Sequence, residues 1–271
     1  MDQVNLEKNN QKSKDYLWLH LRDLPYFRAM LRAIEAAFYQ GIDLPGPTLD
    51  LGCGDGHFAS LAFDHALDIG LDPWTGPIHE AKQYQIYKVL IQANGADMPF
   101  SEAYFNSAVS NSVLEHIPNI EEVLKETGRV LKPGAVFVFC SPNHNFLPSL
   151  SVGRALDQLR MHKLANRYRD FFNRISRHHH CDSPEVWQKR LEEAGFTLEK
   201  HWNYFPPAAI RVFEWGHYLG LPSLIWRRLT GRWNLVKARW NFWLIAPIVR
   251  KYYTLEPDQA GTMTFFVARR K

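Results

Sequence analysis

The sequence predicts an α/β fold, a doubly wound and mostly parallel sheet carrying helical insertions, and three observations lead there. Short apolar runs recur between residues 48 and 140, each ending at small, polar or acidic residues in the manner of buried parallel strands. Segments between and before them have helical spacing, so strands and helices alternate. The first run stops at the glycine-rich turn Gly52-Cys53-Gly54-Asp55-Gly56. At 271 residues and 46% hydrophobic content, the chain can bury one large core.

Met1–Lys14 is polar and lacks an apolar core, so it reads as a frayed tail rather than a secretory signal or membrane anchor. Residues 16–39 read as one or two helices broken near Pro25, with Phe27, Met30, Leu31, Ile34 and Phe38 on one face. Leu49-Asp50-Leu51 is the first strand. Glycines at 52, 54 and 56 let backbone amides approach a ligand closely, and a helix starting at Gly56 or just after aims its positive end there. Their G-x-G-x-G spacing differs from the G-x-G-x-x-G of dinucleotide folds. The second strand, Leu67–Asp72, ends in a carboxylate twenty residues past Gly52, where an acceptor suits ribose hydroxyls. The third strand, Lys88–Ala93, leads into Asn94-Gly95-Ala96-Asp97-Met98, in which Asp97 reads as acceptor for a purine amino group and Met98 as its ring contact. The fourth strand, Phe105–Ser110, opens into Asn111-Ser112-Val113-Leu114-Glu115-His116-Ile117-Pro118, which places Asn111 at the same ligand. A helix then reaches Gly128-Arg129-Val130-Leu131-Lys132-Pro133-Gly134, and the fifth strand follows over Ala135–Cys140.

With these motifs in this order, the chain resembles the class I S-adenosylmethionine-dependent methyltransferases, in the type 11-like branch whose signature reads roughly D-x-G-C-G-x-G, L-E-H-I-P and R-V-L-K-P-G. The resemblance is close over residues 44–143 and weaker through Leu191–Phe196 and the last strand. It implies a Rossmann-like, seven-stranded sheet with an antiparallel last strand, and S-adenosylmethionine as cofactor. It also implies that Asp50, Gly52 and Gly54 hold the methionine end, Asp72 the ribose, and Asp97 with Met98 the adenine. The expected division is a tail with cap helices over residues 1–43, then a methyltransferase domain over 44–271 with a basic helical insert at 146–180 and an aromatic basic insert at 206–256.

The first insert contains a basic helix, Val152–Ile175, with Leu156, Leu159, Leu164 and Tyr168 as its apolar side. Ser183-Pro184 then starts a helix that ends at Gly195, and strands follow over Phe196–Tyr204 and Thr262–Ala268. Net charge is +4, but residues 151–180 hold seven Lys or Arg against two acids, and residues 206–253 hold eight against one. The remainder, with 17 basic and 25 acidic residues, is acidic, so a negatively charged partner would meet the inserts. Residues 206–253 also carry five of the nine tryptophans. Charges interrupt them before the ~20 apolar residues of a spanning helix, and the Trp, Leu and Arg mixture suits an anionic membrane interface. A lid over the cleft or a dimer contact is the alternative use of the same residues. Three cysteines cannot all pair, which fits a cytoplasmic protein with reduced thiols, and the aromatic basic insert would give it a peripheral hold on a membrane.

Methyl transfer from a sulfonium needs alignment above all, and a base only for an acceptor that must lose a proton. His116, after the fourth strand, and His144, after the fifth, are the candidate bases. His178-His179-His180-Cys181 lacks metal-ligand spacing and reads as a solvated loop, with no metal expected. The expected acceptor is a small, lipophilic or lipid-linked molecule. A nucleic-acid substrate is disfavoured because Ser110-Asn111-Ser112-Val113 lacks the Pro-Pro-aromatic motif of flipped-base methylases, and because Leu and Ile accompany the aromatics of the inserts. A non-catalytic cofactor-binding module and a nicotinamide oxidoreductase are the remaining readings, the latter opposed by the glycine spacing.

Overall fold

A computed structural model describes residues 14–230, 233 and 237–271. The expected frayed tail falls almost wholly outside the described residues, as does Arg232 of the aromatic insert.

Asp15 opens helix α1 (Tyr16–Asp23) by accepting the Trp18 amide on its carboxylate, and the chain breaks at Pro25 before α2 (Tyr26–Tyr39). The strands are β1 (Thr48–Leu51), β2 (Leu67–Asp72), β3 (Tyr87–Gln92), β4 (Phe105–Asn111), β5 (Leu131–Pro142), β6 (Phe196–Tyr204) and β7 (Met263–Arg270). They form one sheet in the order β3-β2-β1-β4-β5-β7-β6. The pairs from β3 through β5 are parallel, and β7 runs antiparallel to both β5 and β6. The strand order reverses between β1 and its neighbours β2 and β4, so a crevice opens at their carboxyl ends.

Each face of the sheet carries its own core. On one side α1, α2 and α3 (His57–Ala62) pack with α4 (Thr75–Ala81) through Leu17, Met30, Ile34, Phe58 and Ile78. On the other, α5 (Ile120–Val130) buries Ile120, Val123 and Leu124 beside Phe137 and Phe139 of β5.

The basic helix expected over Val152–Ile175 is two helices, α6 (Ser151–Gln158) and α7 (His162–Ser176), divided where Arg160 takes a φ of 59°. The break folds α7 back on α6. Gly153 makes room for the Arg169 guanidinium, which donates to Asp157 Oδ2 at 2.5 Å. The expected apolar side does not become core, since Leu159 and Leu164 are exposed while Ala165 and Phe172 are buried. Beyond them, α8 (Pro184–Glu193) has Ser183 at its cap position and buries Trp187 against the second core, although the Ser183 side chain makes no capping bond.

Between β6 and β7 lie α9 (Pro207–Leu219), α10 (Leu221–Thr230) and α11 (Ile245–Arg250). Gly216 lets α9 seat directly on α2, because a Cβ there would lie 2.5 Å from Phe27 Cβ. One buried carboxylate ties this segment to the earlier insert. Glu214 of α9 accepts the Ser151 amide and hydroxyl, each at 2.6 Å, the Val152 amide at 3.2 Å and the Tyr168 hydroxyl at 2.5 Å. A side chain from the second insert thereby caps the first helix of the other, an anion at a helix N-terminus.

Candidate active site

Beyond β1 the backbone takes φ values of 77° at Gly52, 55° at Gly54 and 73° at Gly56, a region costly for residues with a Cβ. The amides of Gly52 and Cys53 both donate to Leu71 O of β2, at 2.8 and 3.0 Å, which fixes the turn against its neighbour. Gly56 then caps α3. At Gly52 a Cβ would lie 2.4 Å from Val113 Cγ1, whereas at Gly54 it would meet open space. These positions therefore exclude a side chain for different reasons: Gly52 for packing, Gly54 for the cavity it borders.

That cavity, of about 1300 Å3, lies at the carboxyl ends of the central strands and is lined by Asp50, Gly52, Gly54, Asp72 and Asn111, among others. Burial pushes the Asp50 carboxyl up to about 7, partly offset by the Tyr87 hydroxyl that donates to Oδ2 at 2.6 Å. Asp72 is raised by burial too, while the amides of Gly54 (3.0 Å) and Trp74 (2.9 Å) favour its ionised form. Asn111 lines the cavity with its polar ends engaged elsewhere, Nδ2 donating to Glu35 Oε2 at 2.7 Å and Oδ1 accepting from Cys140 Sγ at 3.3 Å. Glu35, fully buried on α2, also receives the Tyr204 hydroxyl at 2.9 Å, so Asn111 belongs to a bolt between the cap helix and the sheet.

The purine-side expectation needs correction. The cavity wall after β3 consists of Asn94, Gly95 and Ala96, and it includes neither Asp97 nor Met98. Asn94 Oδ1 accepts the Ala96 amide and Asn94 O the Asp97 amide, both at 3.0 Å, so the chain turns before reaching Asp97. Met98 is buried in the α5-side core, its amide held by Glu126 Oε1 at 2.7 Å, and Asp97 is exposed. An Asx turn at the strand tip was the available signal, and the acidic side chain drew the sequence reading past it.

The two histidine candidates separate as well. His144 is exposed and borders neither this cavity nor the next, because Asn143 pins the loop through Gly261 O (3.0 Å) and Thr264 Oγ1 (2.9 Å). His116 borders both. Its Nδ1 lies 3.0 Å from Arg177 O, which assigns the proton to that nitrogen and leaves Nε2 unprotonated, 3.8 Å from Glu115 Oε1, and burial lowers its pKa.

The His178-His179-His180-Cys181 tract is not a solvated loop. Glu115 O accepts the amides of His179 and His180, and the His180 ring bonds Ile117 O, so the tract clasps the segment that carries His116. His178 lies half-buried beside His116, with ring centroids 5.3 Å apart, and burial brings its pKa down to about 3. Ligand atoms of Glu115, His116 and His178 lie within 4.8 Å of one another, the one group among the described residues that could gather around a metal ion. Burial raises the Glu115 carboxyl to about 8, and its Oε2 has no hydrogen-bond partner among the described residues.

A second cavity, of about 650 Å3, adjoins the first, sharing Arg28, Arg32, Ser112, His116 and His178 in its lining. The rest of its wall has an apolar part, Phe27, Leu31, Phe146, Phe213, Trp233 and Met263, and a polar part that includes Glu115, Arg177 and His217. Phe213, His217, Gly220, Leu224, Arg227 and Trp233 come from the segment between β6 and β7, which thus covers the cleft.

Comparisons with known proteins agree with this architecture. The model of a methyltransferase-domain family matches residues 20–201. The malonyl-(acyl-carrier protein) O-methyltransferase of Enterobacter lignolyticus is 30% identical over 112 residues, covering 41% of this chain and 45% of that protein. Sterol methyltransferase-like 1 of Botryococcus braunii is 34% identical over 98 residues, covering 33% of this chain and 25% of that one. The chain thus matches less than half the length of these relatives. A possible histamine N-methyltransferase of Thermotoga maritima superposes with a TM-score of 0.54 at 14% identity, over 90% of this chain and 91% of its own. The cyclase SpnF superposes with a TM-score of 0.50 at 14% identity, over 89% and 81%. At such identities the likeness is one of fold, and fold alone does not name a substrate.

Proposed function

The chain belongs to the S-adenosylmethionine-dependent methyltransferases, and on that premise we propose that it transfers a methyl group to a small, lipophilic or lipid-linked acceptor held in the second cavity. Bound S-adenosylmethionine supplies an electrophilic methyl on a sulfonium, whose departure as a neutral thioether needs no acid. The first cavity fits this cofactor: Gly54 leaves an open cradle, and Asp72 keeps lone pairs beyond its two backbone bonds. In this reading Gly52, Gly54 and Asp50 hold the amino-acid end, Asp72 accepts from the ribose, and Asn94–Ala96 border the purine in place of Asp97 and Met98.

The apolar wall of the second cavity carries the acceptor assignment. His116 stands where the two cavities meet, and its unprotonated Nε2, 3.8 Å from Glu115 Oε1, suits it to take a proton from a hydroxyl acceptor. Because burial lowers its pKa, the imidazole is neutral at pH 7, and the acid limb of activity on such an acceptor is expected below pH 6.5. His116→Ala should lower turnover by 10²-fold or more and remove that limb. A limb unchanged in the variant takes the role from His116.

The outer face of the cover supports a membrane-facing surface. Trp240 and Trp243 are 67% and 70% exposed, Leu244 and Ile248 lie beside them in sequence, and Arg239, Arg250 and Lys251 supply positive charge, part of it met by Asp15. Among the described residues no helix is long and apolar enough to cross a bilayer, so contact would be interfacial. Co-sedimentation with phosphatidylglycerol vesicles is expected and should be lost in the double variant Trp240→Ala, Trp243→Ala. Equal recovery of both proteins in the supernatant argues against the surface.

A further inference from the structure

Among the described residues most arginines that are only partly exposed are paired, while exposed ones such as Arg154, Arg174 and Arg211 are not. Arg169 meets Asp157, Arg190 meets Asp182 and Glu121, Arg129 meets Glu126, Arg269 meets Glu199, and Arg270 donates to two main-chain carbonyls. Arg28 and Arg32 break this pattern. They lie one turn apart on α2, both are only partly exposed, and both line both cavities. Among the described residues neither guanidinium makes a hydrogen bond or an ion pair. Rings lie close to both, Trp233 at 6.0 Å from the Arg28 guanidinium carbon and Phe58 at 5.6 Å from that of Arg32, while carboxyls act on them only through space, Glu35, Glu115 and Asp50 on Arg32 and Asp55 on Arg28.

Two half-buried cations at i and i+4 repel each other and are poorly hydrated, which is unfavourable unless an anion joins them. The buried acids Glu35 and Glu115 do not bond either guanidinium: burial raises both carboxyls, and the Arg32 charge opposes the shift only through space. Burial, with the neighbouring Arg32 charge, draws the Arg28 guanidinium down to about 10, and Asp55 offsets part of this. A planar guanidinium fork is the donor of choice for carboxylates and phosphates. Around this pair the second cavity mixes apolar side chains with Glu115, His116, Arg177, His178 and His217, and Arg227, paired with Glu80 at 3.6 Å, adds a further cation beside Trp233 at 4.7 Å.

We infer that Arg28 and Arg32 form an anion site that anchors a carboxylate or phosphate on the methyl acceptor, whose apolar body fills the second cavity. The acceptor is thus an anionic amphiphile, an inference that rests on the acceptor cavity proposed above. The cofactor's own carboxylate shares this chemistry, and the test distinguishes the two sources.

Octyl phosphate and octanol, titrated calorimetrically into the full chain preloaded with S-adenosylhomocysteine, share a tail and differ in the head. Octyl phosphate should bind at least tenfold more tightly. The double variant Arg28→Met, Arg32→Met keeps much of the side-chain volume, and there the preference should disappear with S-adenosylhomocysteine held saturating for the variant's own affinity. The double lysine variant should keep part of the preference, which separates lost charge from lost folding. Equal binding of the two probes, or a preference that survives in the methionine variant, overturns the proposal. A loss confined to S-adenosylhomocysteine affinity overturns it as well, by giving the pair to the cofactor's carboxylate. Failure of the unaltered chain to bind S-adenosylhomocysteine would instead strike the cofactor-site reading.

Discussion

Gly52→Val is expected to weaken S-adenosylmethionine binding by at least 100-fold and to eliminate methyl transfer. At φ 77° a β-branched residue is strained by at least ~1–2 kcal/mol, and its Cβ would lie 2.4 and 2.8 Å from the two methyls of Val113. Val113 cannot yield freely, because Leu114 and Glu115 behind it are buried. The turn must move instead, and with it the Gly54 amide that orients Asp72. Gly54→Ala provides the contrast. Its Cβ meets no protein atom within 4 Å, so the variant should fold with a loss of about 1 kcal/mol, yet bind cofactor less well because the methyl enters the cradle. Calorimetric titration together with thermal melting separates the two. Full cofactor affinity in Gly52→Val would remove the glycine turn from the site.

Glu214→Ala should release the cover over the acceptor cavity. The side chain is fully buried, and its removal orphans the two amides that open α6, while the Ser151 and Tyr168 hydroxyls keep Trp215 Nε1 and the Tyr218 hydroxyl as partners. Leaving a buried backbone amide without its acceptor costs roughly 1–3 kcal/mol. Much of that loss should fall on the α6, α7 and α9 helices, leaving the sheet in place. The expected signature is faster amide hydrogen exchange over residues 151–176 and 207–219 with little change in β1, β4 and β5. Cofactor affinity should hold while KM for the acceptor rises. Uniform destabilisation across the sheet would mean that Glu214 supports the whole fold rather than its cover.

Much of the fold was legible because the central strands are short, apolar on both faces and punctuated by glycine or acid. Asp50, Gly52, Gly54 and Asp72 come together since each terminates a strand or opens the turn after it. Where the reading went astray, a tertiary contact overrode a local cue. Asp97 carried the right chemistry at the wrong position, after an Asx turn had already redirected the chain. His144 stood at the correct sheet edge, but Asn143 anchors the loop and leaves the ring outside. A single periodic helix over residues 152–175 became two because Arg169 of the second half pairs with Asp157 of the first. The arrangement of Glu214 with Ser151, like that of Glu35 with Asn111, joins residues 63 and 76 positions apart, which no local pattern announces.

The most direct test of a methyltransferase with an amphiphilic acceptor is to incubate the chain with methyl-labelled S-adenosylmethionine and a bacterial cell extract, then partition the products between organic and aqueous phases. Label is expected in the organic phase with the unaltered chain and absent with Gly52→Val. Label confined to the aqueous phase would contradict the lipophilic acceptor, and label in neither phase would contradict the acceptor cavity as a site of methyl transfer.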